Sequence, residues 1–200
     1  SVTQDLRKYP DAGASGVRSR LSNILGAPAE NFVIGNGSDE LLNVILRCFA
    51  GPGDRVVFPT PTYPYYDKLI ALQDAVGVPV PLDHDFNLPL DDLVQEDARV
   101  TLLANPNSPT GIGLSIDQLD ELAQRVSGIL VIDEAYVDFS QHQAIGVARK
   151  HKHVIVTRTL SKSFSLAGIR VGFAFASPEI IAGLWKVKEH YNVSSLSLVA

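Results

Sequence analysis

The sequence predicts an α/β domain with a mainly parallel sheet sandwiched by helices. Short β-type runs alternate with amphipathic helical stretches along all 200 residues, as in strands joined by crossover helices. Arg55 to Phe58 reads as a buried strand, Arg99 to Ala104 as a central strand and Ile129 to Ile132 as an apolar strand. With 46% hydrophobic residues, the chain is long enough for one sizeable core.

In order, residues 15 to 25 form a helix with Val17, Leu21, Ile24 and Leu25 on one face and Gly26 as its stop. Asn31 to Ile34 is a short strand leading through Gly35-Asn36-Gly37 to Ser38, which suits the cap of a helix over 39 to 49. A Gly-Pro-Gly-Asp turn precedes the strand Arg55 to Phe58. Tyr63 to Gln73 reads as helix, Gly77 to Pro81 as extended chain and Leu90 to Val94 as a short helix. After Arg99 to Ala104 comes a loop rich in proline and glycine, Asn105 to Gly113; Ser115 then caps a helix to Arg125. Ile129 to Ile132 ends at Asp133. Val154 to Val156 and Val171 to Ala176 are further strands, and Pro178 opens a helix to about Tyr191. No repeat or internal domain boundary interrupts this order.

A net charge of -5 gives no electrostatic footprint for nucleic acid. No apolar stretch approaches the roughly 18 residues of a membrane span. The start, Ser1-Val-Thr-Gln-Asp, lacks the regions of a signal peptide, and the single Cys48 excludes a disulfide framework and reads as a reduced core residue. Together these features favour the cytoplasm. The chain has no methionine, which predicts that Ser1 is not the native start.

The residues that carry chemistry fall at the carboxyl ends of strands, where open α/β sheets bind ligands. Lys162 lies just past Val154 to Val156, among hydroxyls, with Arg170 eight residues on. A lysine amine freed of its proton forms imines with aldehydes, and hydroxyls with an arginine suit a phosphate. That pairing suggests pyridoxal phosphate; the other reading is an exposed lysine in a serine-rich turn. Gly37-Ser38-Asp39-Glu40 opens a helix after a strand, so its backbone N–H groups suit a phosphate, or it is a plain capping box. Asp133 could pair with a protonated pyridine nitrogen, cap a helix or bind a metal. The scattered histidines lack the spacing of metal ligands. Asn105-Pro-Asn-Ser-Pro-Thr-Gly111 places amide and hydroxyl side chains directly after a strand. Tyr63 offers a flat face for stacking, or ordinary packing.

The order of these groups resembles that of fold type I pyridoxal-phosphate enzymes, in particular the aminotransferase family. The likeness to its histidinol-phosphate-type members is carried by Asp133-Glu-Ala-Tyr-Val-Asp-Phe139 and by Arg158-Thr-Leu-Ser-Lys-Ser-Phe-Ser-Leu-Ala-Gly-Ile-Arg-Val-Gly-Phe173. It implies that residues 1–200 are the cofactor-binding large domain. The cofactor implied is pyridoxal 5'-phosphate, with no metal. The reaction implied is amino-group transfer from glutamate to a keto acid, imidazole-acetol phosphate first among acceptors.

The resemblance also assigns roles. Lys162 carries the cofactor as an imine and then serves as the proton-moving base. Asp133 keeps the pyridine nitrogen protonated, Tyr136 hydrogen-bonds the ring's phenolic oxygen, and Tyr63 stacks on the ring. Gly37, Ser38 and Asp39 form the phosphate-binding helix start, where Asp39, being acidic, is expected to cap the helix. Thr159, Ser161 and Arg170 complete the phosphate cradle. Tyr9, in Tyr-Pro-Asp, matches a position that touches the phosphate of a neighbouring subunit, which implies a homodimer with shared sites.

Two features depart from the family pattern. The loop has Ser108 where the family has an asparagine facing the phenolic oxygen, so Asn107 is expected to reach in, or a water to fill the gap. The family's N-terminal arm and C-terminal small domain, which carries arginines for the substrate, lie outside these residues, so full transamination by this stretch alone is not expected. Two related activities share such a large domain: decarboxylation of a phosphorylated amino acid of the threonine-phosphate type, and transamination of aromatic amino acids. A non-catalytic protein on the same scaffold would have lost Lys162, Asp133 or Arg170; all three are present.

Overall fold

A computed structural model describes residues 6–199; Ser1 to Asp5 and Ala200, and with them the reading of the amino-terminal start, lie outside the described residues. The strands are β1 (Phe32–Gly35), β2 (Arg55–Thr60), β3 (Val76–Pro81), β4 (Ala98–Ala104), β5 (Ile129–Asp133), β6 (Val154–Thr159) and β7 (Gly172–Phe175). They form one sheet in the order β1-β7-β6-β5-β4-β2-β3. Only β7 runs against its neighbours, pairing antiparallel with β1 and β6, while β6, β5, β4, β2 and β3 are parallel.

The helices are α1 (Ser15–Leu25), α2 (Ser38–Phe49), α3 (Tyr65–Ala71), α4 (Leu90–Leu93), α5 (Ile116–Arg125), α6 (Ile145–Lys150) and α7 (Pro178–Val187). Because successive strand side chains point to opposite faces, the apolar strands feed two cores. Val33, Leu102, Val131 and Ile155 pack with Leu42 and Ile45 of α2, Leu69 of α3 and Leu184 of α7. On the other face Ile34, Leu103, Ile132 and Val156 pack with Leu119 and Leu122 of α5 and Val147 of α6. Strands buried on both faces are what a sheet covered by helices on each side requires.

Local chemistry sets several boundaries. Ser115 caps α5 in a full capping box, accepting from the Gln118 N–H while the Gln118 side chain accepts from the Ser115 N–H. Two expected helix bounds change, and one helix is new. Helix α3 begins at Tyr65 rather than Tyr63, after Pro64 at its cap position. Helix α7 stops at Val187, well short of Tyr191, where Lys188 turns extended with ψ 139. Helix α6 was not anticipated. On α1, Val17, Leu21 and Leu25 pack on the core, but Ile24 is 77% exposed, so it does not belong to the inward face. Cys48 is a free thiol at the core margin, half-buried rather than fully enclosed.

Candidate active site

Strands β4, β5 and β6 end side by side at Ala104, Asp133 and Thr159, and the start of α2 stands beside them. Between these ends lies a cavity of ≈ 150 Å³. Its lining brings together Ser38, Asp39, Tyr63, Asp133, Tyr136, Thr159, Ser161, Lys162 and Arg170, residues separated by up to 132 positions in sequence.

Asp133 forms the floor. The strand register sets it opposite Thr157 of β6, whose hydroxyl donates to Oδ1 over 3.1 Å. The Ala135 N–H donates to the same oxygen at 3.2 Å, and the hydroxyl of fully buried Tyr66 donates to Oδ2 at 3.1 Å. All three donors are neutral, and no described residue forms an ion pair with this carboxylate. Burial therefore dominates and pushes the Asp133 carboxyl up to about 6, against the pull of Tyr66, Thr157 and Ala135. Its neighbour Glu134 is handled differently. That carboxylate, also buried, is paired with Arg158 at 2.8 Å and accepts from the Ala144 N–H at 2.5 Å, which pins the chain beyond β5 to β6.

The opposite end of the cavity is cationic and rich in N–H donors. Helix α2 begins at Ser38, with Gly37 as its cap residue at φ 82 and no side-chain cap. Ser38 is therefore the first helical residue, and not the cap expected from sequence. The leading N–H groups of a helix have no partner within it and carry the positive end of its dipole. Arg170 faces this start: a Cβ added to Gly37 would lie 2.6 Å from Nη2 of Arg170. Arg170 itself is left-handed, at φ 57 and ψ 53, a conformation that costs a non-glycine residue about 1 kcal/mol and recurs at functional positions. The turn is also packed tightly from behind. A Cβ on Gly172 would fall 2.6 Å from the Ser38 nitrogen and 2.8 Å from the Arg158 carbonyl oxygen. Thr159 and Ser161 bring hydroxyls to the same end, their oxygens 2.9 Å apart, and the Ser161 N–H donates to Thr159 Oγ1 at 3.2 Å.

Asp39 does not cap α2, the role expected of it. Its Oδ1 accepts from the Tyr63 hydroxyl at 3.1 Å, and its Oδ2 lies 3.5 Å from Nη2 of Arg170. It thus joins the aromatic wall to the cationic end. Burial, then the Asp39 charge, pushes the Tyr63 phenol up to about 12, so that group stays a donor at neutral pH. The Tyr63 ring meets the Tyr66 ring edge-on, with centroids 5.7 Å apart. Lys162 Nζ lies 5.2 Å from the centroid of the Tyr136 ring, within reach of a cation–π contact.

Two expected residues lie elsewhere. The Asn107 amide faces away from the cavity: Oδ1 accepts from the Thr62 hydroxyl at 2.7 Å, and Nδ2 donates to Pro61 O and Thr110 Oγ1, both at 3.0 Å. It locks the loop to the end of β2, and Ser108 lines the cavity instead. Tyr9 is 80% exposed, outside the cavity of its own chain, and stacks on Tyr191 with centroids 4.5 Å apart.

Sequence reasoning missed Tyr66 and Thr157, which satisfy Asp133. A signal was present for each: Tyr66 follows Tyr63 by three positions in a helical stretch, and Thr157 is a polar residue continuing an apolar strand.

The family model for "Aminotransferase class I and II" matches residues 1–200. Histidinol-phosphate aminotransferase 1 of Trichormus variabilis is 42% identical over 192 residues, covering 96% of this chain and 55% of the relative. Histidinol-phosphate aminotransferase of Geotalea daltonii is 43% identical over 199 residues, covering 100% of this chain and 57% of the relative. Among solved structures, histidinol-phosphate aminotransferase from Sinorhizobium meliloti, in complex with pyridoxal-5'-phosphate, superimposes with a TM-score of 0.93 at 29% identity, covering 98% of this chain and 55% of that one. The chain thus spans little more than half the length of the curated relatives it matches.

Proposed function

The chain belongs to the class I and II aminotransferase family, and from that premise we propose that it is the cofactor-binding large domain of a pyridoxal-phosphate-dependent aminotransferase. The substrates proposed are glutamate and imidazole-acetol phosphate, exchanged for 2-oxoglutarate and histidinol phosphate in histidine biosynthesis. The observation that carries the reading is Asp133, a buried carboxylate with three neutral donors and no cation among the described residues. A buried charge calls for a charged partner. A pyridinium N–H is such a partner, and the helix start with Arg170, also in the cavity lining, suits a phosphate.

When bound, pyridoxal phosphate stores the amino group between half-reactions and draws electrons from the carbon whose proton moves. The protein's residues do the rest. Asp133 holds the proton on the ring nitrogen, since its carboxylate is fixed from behind by Tyr66 and Thr157 and accepts at its open side. Tyr63 forms one wall against the ring face. Tyr136 donates to the phenolic oxygen, and Ser108, with a shorter side chain than the asparagine of the family, lines the same side. The backbone N–H groups of Ser38 and Asp39, the hydroxyls of Thr159 and Ser161, and the Arg170 guanidinium hold the phosphate. Lys162, which lines the cavity, would hold the aldehyde end of the cofactor, and its free amine would serve as the base that moves the substrate's α proton.

Tyr9, exposed and outside its own cavity, fits a role at the site of a second copy, so a homodimer is part of the proposal. A cytoplasmic location is proposed as well; no described helix is long and apolar enough to cross a membrane. The function is tested by incubating the complete protein, with the substrate-binding small domain of the family included, with pyridoxal phosphate, glutamate and imidazole-acetol phosphate. Formation of 2-oxoglutarate together with histidinol phosphate is expected. Carbon dioxide release from threonine phosphate, without glutamate-dependent turnover, would replace the proposal with the decarboxylase.

A further inference from the structure

A second group of polar residues, outside the cavity, grips the turn that presents α2 to it. At the end of α7, Lys188 is only 4% exposed although it is a lysine, and buried ammonium groups are rare unless partnered. Its Nζ donates to Glu189 O and to Asn192 Oδ1, both at 2.6 Å, and lies 4.8 Å from the centroid of the Trp185 ring.

That contact fixes which way the Asn192 amide points. With Oδ1 turned to the ammonium, Nδ2 donates on the far side to Glu40 Oε2 at 2.5 Å and to Ile34 O at 3.3 Å. Glu40 Oε2 also accepts from the Asn36 N–H at 2.5 Å, and the Asn36 side chain donates back to Asn192 O at 2.9 Å. The segment 188–192 thereby holds the turn Ile34 to Glu40 from both its backbone and its side chains. Glu40 is the third residue of α2. A carboxylate there suits the helix dipole, yet left free it would compete with an incoming anion for the same N–H groups. Held by Asn192 and Asn36, it lies on the side of the turn that faces Lys188.

We infer that Asn192 and Lys188 are positioning residues for the phosphate-binding turn, acting through Glu40 and Asn36. The inference rests on the cofactor reading above and extends it to residues that do not line the cavity. Its signature is selectivity for the phosphate, because the ring-binding residues Asp133, Tyr63 and Lys162 belong to other elements.

The test compares the affinity of the cofactor-free protein for pyridoxal phosphate and for pyridoxal, which lacks the phosphate. Loss of one charge-assisted hydrogen bond in Asn192→Ala should weaken pyridoxal phosphate about tenfold, with pyridoxal held within about twofold. Asn192→Asp keeps an oxygen for Lys188 but sets a second carboxylate against Glu40, and should weaken pyridoxal phosphate further. Inorganic phosphate should compete less well against pyridoxal phosphate in both variants. Where Asn192→Ala fails to fold, Asn192→Ser takes its place. Equal weakening of both ligands, or of neither, overturns the inference. A wild-type protein that binds pyridoxal phosphate no better than pyridoxal overturns the cofactor reading instead, so the two failures are distinct.

Discussion

The hydroxyl of Tyr66 donates to Oδ2 of Asp133 across 3.1 Å, with both side chains buried. Asp133 lines the cavity and Tyr66 does not, so this bond holds the carboxylate from outside the cavity. It also explains why a tyrosine stands at a fully buried position of α3, where a phenylalanine would fill the same space without the hydroxyl. Desolvation, then the Asp133 charge, raises the Tyr66 phenol well above its ordinary range, so it remains a donor throughout neutral pH.

Tyr66→Phe removes that donor and little else. Because a hydrogen bond to a charged group is worth more than one to a neutral group, the variant should lose about 1–3 kcal/mol of stability at pH 8. It should lose less at pH 5, where the carboxyl is largely protonated. Denaturant unfolding at the two pH values checks this; equal losses would mean that the phenol does not serve the carboxylate.

Asp133 gives the cofactor-free protein a stability slope of known sign. Its carboxyl is raised from 3.8 to about 6 in the folded state, so the native protein holds the proton more tightly than the unfolded chain. The resulting stabilisation is fully present below 3.8 and is lost as pH rises through about 6. Relative to Asp133→Asn, the wild type should lose up to about 3 kcal/mol across that window and no more above it. Melting temperatures of the two proteins from pH 4 to pH 8 read the difference. Curves that stay parallel would place the Asp133 carboxyl near its ordinary range.

Two glycines at the helix start separate stability from binding. A Cβ at Gly172 meets backbone at 2.6 to 2.8 Å, which cannot move aside, so Gly172→Ala should destabilise by about 3 kcal/mol or more. A Cβ at Gly37 meets the movable tip of Arg170 at 2.6 Å, on a backbone at φ 82. Gly37→Ala should therefore cost less stability, about 1 kcal/mol. It should weaken pyridoxal phosphate more than pyridoxal. Melting curves and ligand titrations of both variants make the comparison.

The proline-rich loop offers a similar contrast. Asn107→Ala breaks three side-chain hydrogen bonds to Thr62, Pro61 and Thr110 and should cost about 1–3 kcal/mol. Ser108→Ala removes a hydroxyl at the cavity and should stay within about 0.5 kcal/mol in stability. The reverse ranking in unfolding experiments would return Asn107 to the cavity.

The sheet was legible because its strands are apolar on both faces, so even short runs such as Ile129 to Ile132 stood out. Lys162, Asp133 and Arg170 were legible through the order of motifs: Asp133 ends β5, and Lys162 and Arg170 lie in the connection from β6 to β7. Side-chain direction was not legible. Whether Asn107 or Ser108 faces the cavity depends on loop geometry, and the spacing of the prolines does not encode it. Asp39 looked like a cap because it opens a helix, but its partners Tyr63 and Arg170 come from distant segments that only the folded chain brings near. The same holds for Lys188 and Glu40, separated by 148 positions and linked through Asn192.

The most direct test locates the covalent bond. The protein is loaded with pyridoxal phosphate, reduced with borohydride, digested and mapped by mass spectrometry. The account predicts a single pyridoxyl phosphate label on Lys162, and no label on the Lys162→Ala protein. A label on another lysine, or none on the wild type, would contradict it.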